Sequence, residues 1–177
     1  MPERAFELTT RISVAPATLP GMFHLWMFLH ILGAIAAFGH GFYAPIFGMT
    51  SAKEPQHGNW FMRASKRVSN VIILPFAILM LITGAMLVQT GTGTVEWSTR
   101  WLSVAMLLYF IALGIVFLLQ RPALNKVIAL SAEPPGPEGP PAELASNVRK
   151  MQIYGTVLLI LTLVILALMV WKPAVGA

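Results

Sequence analysis

Histidine carries most of the site chemistry this sequence can offer, and there are four: His24, His30, His40 and His57. Cysteine is absent, which removes thiolate ligands, disulfides and cysteine nucleophiles. The acids are all Glu, with no pair suited to acid–base work, no H-E-x-x-H and no glycine-rich phosphate loop. No catalytic residue is assigned. His30 and His40 lie inside a long apolar stretch, His24 near its start and His57 in a polar connection. On a helix, Gly33, Ala34, Ala37, Gly41, Ala44 and Gly48 fall within roughly 60° of His30. Two readings of this small-residue stripe stay open. One is close packing against another membrane helix. The other is room for a flat ligand such as haem b, with His30 as the iron ligand beside Gly33, Ala37 and Gly41. His40 is a lesser candidate ligand. It stands about 80° around the helix from His30 and about 15 Å along it, so the two cannot grip one iron from opposite sides. A bis-histidine haem would need a second chain.

The elements that must position these groups are apolar and long. The 177 residues are 56% hydrophobic and only 11% charged, with a mean hydropathy of +0.73. Soluble domains carry about 25% charged residues. Stretches at 22–48, 68–89, 101–119 and 153–171 approach or exceed the roughly 20 residues a bilayer-spanning helix needs. They contain no Asp, Glu, Lys or Arg. The expected fold is all-α: a polytopic membrane protein built as an antiparallel bundle of four transmembrane helices over 22–173. Residues 1–21 lack the apolar core of a signal peptide and read as a periplasmic or interfacial arm. Residues 131–145 enclose a Pro-rich run that forms no regular element and reads as an exposed loop. Pro75 is expected to kink the second helix, and 122–130 to prolong the third beyond the membrane.

The pI near 10 does not imply nucleic acid, because the basic residues flank the apolar runs as topology signals do. Lys53, Arg63, Lys66 and Arg67 share one side with Arg121, Lys126, Arg149 and Lys150. Arg4, Arg11, Arg100 and Lys172 share the other. The side with eight is expected to be cytoplasmic, which puts both termini outside a bacterial inner membrane. Trp26, Trp97, Trp101 and Trp171 would mark the outer interface, and Trp60 the inner one.

Leu29-His30-Ile31-Leu32-Gly33, Phe42-Tyr43-Ala44-Pro45, Pro75 with Gly84, and Met169-Val170-Trp171-Lys172-Pro173 form an ordered pattern over most of the chain. It resembles an uncharacterised bacterial family of predicted four-helix integral membrane proteins. More distantly it resembles the HemJ protoporphyrinogen oxidases and the CopD-like membrane proteins. The HemJ resemblance implies haem b at a first-helix histidine, and His30 falls at that position. The catalytic pattern departs. HemJ proteins carry Arg where this chain has Ile46. They carry Lys just after a third-helix Trp-Leu, where Trp101-Leu102 is followed by Ser103, Val104 and Ala105. They carry Asn-Glu at the start of the fourth helix, where this chain has Tyr154-Gly155-Thr156. A propionate-bearing substrate needs cationic partners, so these departures argue against oxidase activity.

Two functions are therefore expected to compete. One is a haem-binding membrane protein acting in electron transfer or haem handling. The other is a non-catalytic accessory subunit of a respiratory or photosynthetic membrane complex. Expected partners are membrane lipids and either further copies of the chain or other subunits. For His30 itself, the hydroxyls at its depth that could hold the ring are Thr83, Ser103 and Thr156.

Overall fold

The computed structural model describes residues 20–91, 95–132 and 139–172. The arm at 1–19, most of the Pro-rich run and the terminal Pro173 lie outside them. Seven α-helices carry the chain: α1 (Pro20–Phe38), α2 (His40–Lys53), α3 (Gly58–Val68), α4 (Leu74–Thr90), α5 (Arg100–Ile115), α6 (Arg121–Leu130) and α7 (Ala142–Trp171). They join into four rods long and apolar enough to cross a membrane: Gly21–Thr50, Gly58–Thr90, Arg100–Leu130 and Ala142–Trp171. No strand element occurs among the described residues.

Each rod outruns the expected span. At 30 to 33 residues and 1.5 Å per residue they reach about 45–50 Å, against hydrocarbon about 30 Å thick. The excess lies mostly on the basic side. The stretch from Thr50 to Arg67, which reads in sequence as a polar connection, is helical except around 54–57. Trp60, Phe61, Ala64 and Val68 recur there at helical spacing opposite Lys66, with Arg63 and Arg67 beside the Trp60 edge, which makes α3 amphipathic. The third rod continues through α6 to Leu130.

Two prolines shape the rods. Ser69–Ile73 and Val116–Gln120 are π turns, closed by Leu74 N–H to Ser69 O and by Arg121 N–H to Val116 O. Pro75 and Pro122 follow two residues after each turn. A proline cannot donate, and its ring collides with the carbonyl four residues back; widening the turn by one residue relieves both problems. Arg121 Nη2 donates to Asn70 Oδ1 at 2.9 Å, which ties one π turn to the end of the other.

Partners across the second and third rods run in opposite sequence order. Asn59 Nδ2 donates to Ile128 O at 2.8 Å and to Ser131 Oγ at 2.9 Å. Tyr109 Oη donates to Ala77 O at 2.7 Å near the other end. The core takes one or two residues from every rod: Ala37, Ala77, Met80, Tyr109 and Ile165. It is thin because the outward surfaces are apolar too. Phe28, Ile35, Ile82, Leu107 and Ile160 are all exposed, as helices facing lipid should be.

Candidate functional site

His30 sits on α1 where that helix packs along α4. Its Nδ1 lies 3.0 Å from Thr83 Oγ1. Thr83 is fully buried, and its hydroxyl donates to Leu79 O at 2.8 Å. With that proton directed to Leu79 O, Thr83 offers a lone pair to the imidazole; the tautomer that suits this arrangement has Nδ1 as donor and leaves Nε2 its lone pair. Gly84 makes room for the ring: a Cβ there would stand 3.3 Å from His30 Cε1. Of the three hydroxyls at this depth only Thr83 meets His30. Ser103 turns back to Trp97 O and Thr99 O, and Thr156 to Gln152 O.

The small-residue stripe is occupied by the chain itself. A Cβ on Gly33 would come within 2.8 Å of Met80 Cγ and 3.4 Å of Phe76 O, so α1 and α4 are in direct contact there. Ala37 belongs to the core with Met80 and Ala77. A Cβ on Gly41 would lie 3.3 Å from Leu159 Cδ1 on α7, whereas Gly48 has nothing within 4 Å. The structure thus gathers Gly33 and Ala37 around Met80 and gives Gly41 to α7.

His40 opens α2 and does not join His30. Its ring stands edge-on to Tyr43 at 4.9 Å, and its Nδ1 is buried with no hydrogen-bond partner among the described residues. His57 closes the short turn before α3. Among the described residues no three His or Glu side chains converge. At the positions where the HemJ resemblance would require polar groups, Ile46 is exposed, Ala105 is almost completely buried, and Tyr154 is half-buried.

A model of predicted integral membrane proteins, DUF2269, matches residues 24–173. The chain belongs to the DUF2269 family. The match takes in all four rods and both intramembrane histidines of this DUF2269 protein. No curated protein and no solved structure matches it.

Proposed function

We propose that this DUF2269 protein is a bacterial inner-membrane protein in which His30 would hold haem b, for electron transfer or haem handling rather than catalysis. One observation carries the reading: the chain from Nδ1–H to Thr83 Oγ1 to Leu79 O, which orients the imidazole and leaves Nε2 with its lone pair. Histidines that bind metals are ordinarily held in this way, with the second ring nitrogen donating to an oxygen. His30 fits the iron; the stripe does not fit the porphyrin plane, since Met80 and Leu159 already fill it. His30 would therefore hold the group, Thr83 would set the ring and Gly33, Ala37 and Gly41 would serve packing. When bound, the haem supplies a one-electron couple. A second imidazole would have to come from another copy of the chain, because His40 is about 15 Å away along the helix. The Lys and Arg count favours both termini on the outer face.

The test is a visible spectrum of the protein purified from cells supplied with haem. A Soret band in the wild type, lost in a His30→Leu variant that still inserts, is the expected result. Thr83→Val should lower haem affinity about tenfold or more. A colourless wild type, or a full band in His30→Leu, overturns the proposal. The apolar outward surfaces of the rods suit a second reading, an accessory subunit of a larger membrane complex. Co-migration with other subunits in blue-native gels of native membranes would support it.

A further inference from the structure

On the basic side of the bundle, α2 and α3 leave a cleft of about 330 Å³ lined by Tyr43, Phe47, Trp60, Phe61, Ser65 and Val68. Its floor is aromatic. Phe47 stacks on Phe61 at 5.3 Å with the rings 12° apart, and Tyr43 meets Phe47 edge-on at 5.5 Å. A smaller cleft of about 150 Å³ continues it past Thr50 to His57.

Depth sets what can fill it. Trp and Tyr rings favour the headgroup layers, and the two layers plus hydrocarbon measure about 40–45 Å. That is roughly 28 helical residues. Measured from Trp101 and Trp171 on the outer side, the far edge of the inner headgroup layer falls near Leu130 and Glu143. Asn59 is bonded to Ile128 and Ser131, so the start of α3 lies at the same level. The cleft therefore opens along the inner headgroup layer, with Val68 at its hydrocarbon end and Trp60, 72% exposed, at its aqueous end.

Charge narrows the occupant further. Lys53, Arg63, Lys66 and Arg67 make no ion pair or side-chain hydrogen bond among the described residues, and Glu54 is the one acid in that stretch. Elsewhere on this side Lys126 pairs with Glu143 at 3.7 Å and Arg121 bonds Asn70, whereas Arg149 and Lys150 make no ion pair or side-chain hydrogen bond among the described residues. Arg63 and Arg67 follow Trp60 by three and seven residues, along the edge of α3 where that ring is exposed.

We propose that this cleft is the seat of one acidic phospholipid, with its glycerol and first acyl carbons against Phe47, Phe61 and Val68 and its phosphate held by Arg63 and Arg67. The aromatic floor covers the apolar part, and the unpaired cations select a net negative headgroup over a zwitterion.

The test uses the full chain in neutral detergent, titrated with dioleoyl phosphatidylglycerol or with the matching phosphatidylcholine. Bound lipid is counted by native mass spectrometry. One phosphatidylglycerol should be retained at concentrations where phosphatidylcholine is not. Replacing Arg63 and Arg67 together by Gln should weaken retention roughly twenty-five-fold, about five-fold per charge removed. Ser65→Trp, or the gentler Ala64→Leu, should remove binding by filling the cleft with no change in charge. Lys126→Gln with Arg149→Gln, on the neighbouring basic surface, should leave retention unchanged, and all variants should keep the wild-type circular dichroism. Equal retention of the two lipids overturns the proposal. So does an equal loss in the Lys126/Arg149 variant, full binding by Ala64→Leu, or a second polypeptide that excludes lipid from the cleft.

Discussion

Three glycines on one stripe of the first rod meet different surroundings, and alanine at each should report the difference. In a helix, Gly→Ala gains up to about 1 kcal/mol from backbone entropy alone. Gly48 has open space around it, so Gly48→Ala should be stabilising by a few tenths to about 1 kcal/mol. At Gly41 the new methyl meets the terminal Cδ1 of Leu159 at 3.3 Å. That methyl group can give by a few tenths of an ångström, and the change should be near neutral. At Gly33 the methyl arrives 2.8 Å from Met80 Cγ, with Phe76 O at 3.4 Å and Met80 N at 3.8 Å behind it. Cγ sits close to the α4 backbone, so relief requires α1 and α4 to separate. Overpacking of this kind costs about 1–3 kcal/mol. Less the propensity gain, Gly33→Ala should lose about 1 kcal/mol. Shortening the opposing side chain should rescue it, so that Gly33→Ala costs nothing further in a Met80→Ala background. The measurement is denaturant-induced unfolding in mixed micelles, followed by far-ultraviolet circular dichroism. Should Gly33→Ala prove as stable as Gly48→Ala, α1 and α4 do not touch at this point and the packing account of the stripe is wrong.

Thr83→Val, His30→Leu and the double variant form a cycle in which the His30–Thr83 coupling should be about 0.6 kcal/mol, the average for side-chain hydrogen bonds between membrane helices, and at most about 1.7 kcal/mol; a coupling indistinguishable from zero refutes the bond. The native chain has no cysteine, so single cysteines report topology cleanly. In intact cells an impermeant maleimide should label Thr94→Cys and spare Gln56→Cys, and the reverse pattern means that the bundle is inverted.

The spans are legible in the sequence because hydropathy in hydrocarbon leaves a helix no alternative. Their ends are less so. The Lys and Arg residues between Thr50 and Arg67 hide an amphipathic helix from a search for apolar runs, although Trp60, Phe61, Ala64 and Val68 at helical spacing carry the signal. Pro75 reads as a kink, and the structure resolves it as a π turn, a form that depends on how the following helix packs. Depth narrows the partners of His30 to Thr83, Ser103 and Thr156, and packing selects Thr83. What fills the groove beside Gly33 cannot be picked out in this way, because spacing shows that a face is small and says nothing about which side chain arrives there. The place of Met80 against Gly33 is a property of the packed pair.

The paired π turns make the faces of this protein sensitive to chain length in a way that its loops are not. A turn closed five residues back holds one residue more than its α-helical equivalent. Deleting one residue within Ser69–Ile73 would return that rod to an uninterrupted α-helix with its two ends nearly in the same phase, whereas straightening the turn with no deletion would rotate everything before it by about 100° relative to α4. Asn59 would turn away from Ile128 and Ser131, and Trp60 and Phe61 away from Phe47, while His30 and Thr83 kept their alignment. The membrane half and the basic half of the bundle therefore share a phase but not a fate. Loss of the one extra residue of a π turn should be tolerated and a further gain there should not, with Arg121 and Asn70 keeping the two rods in step.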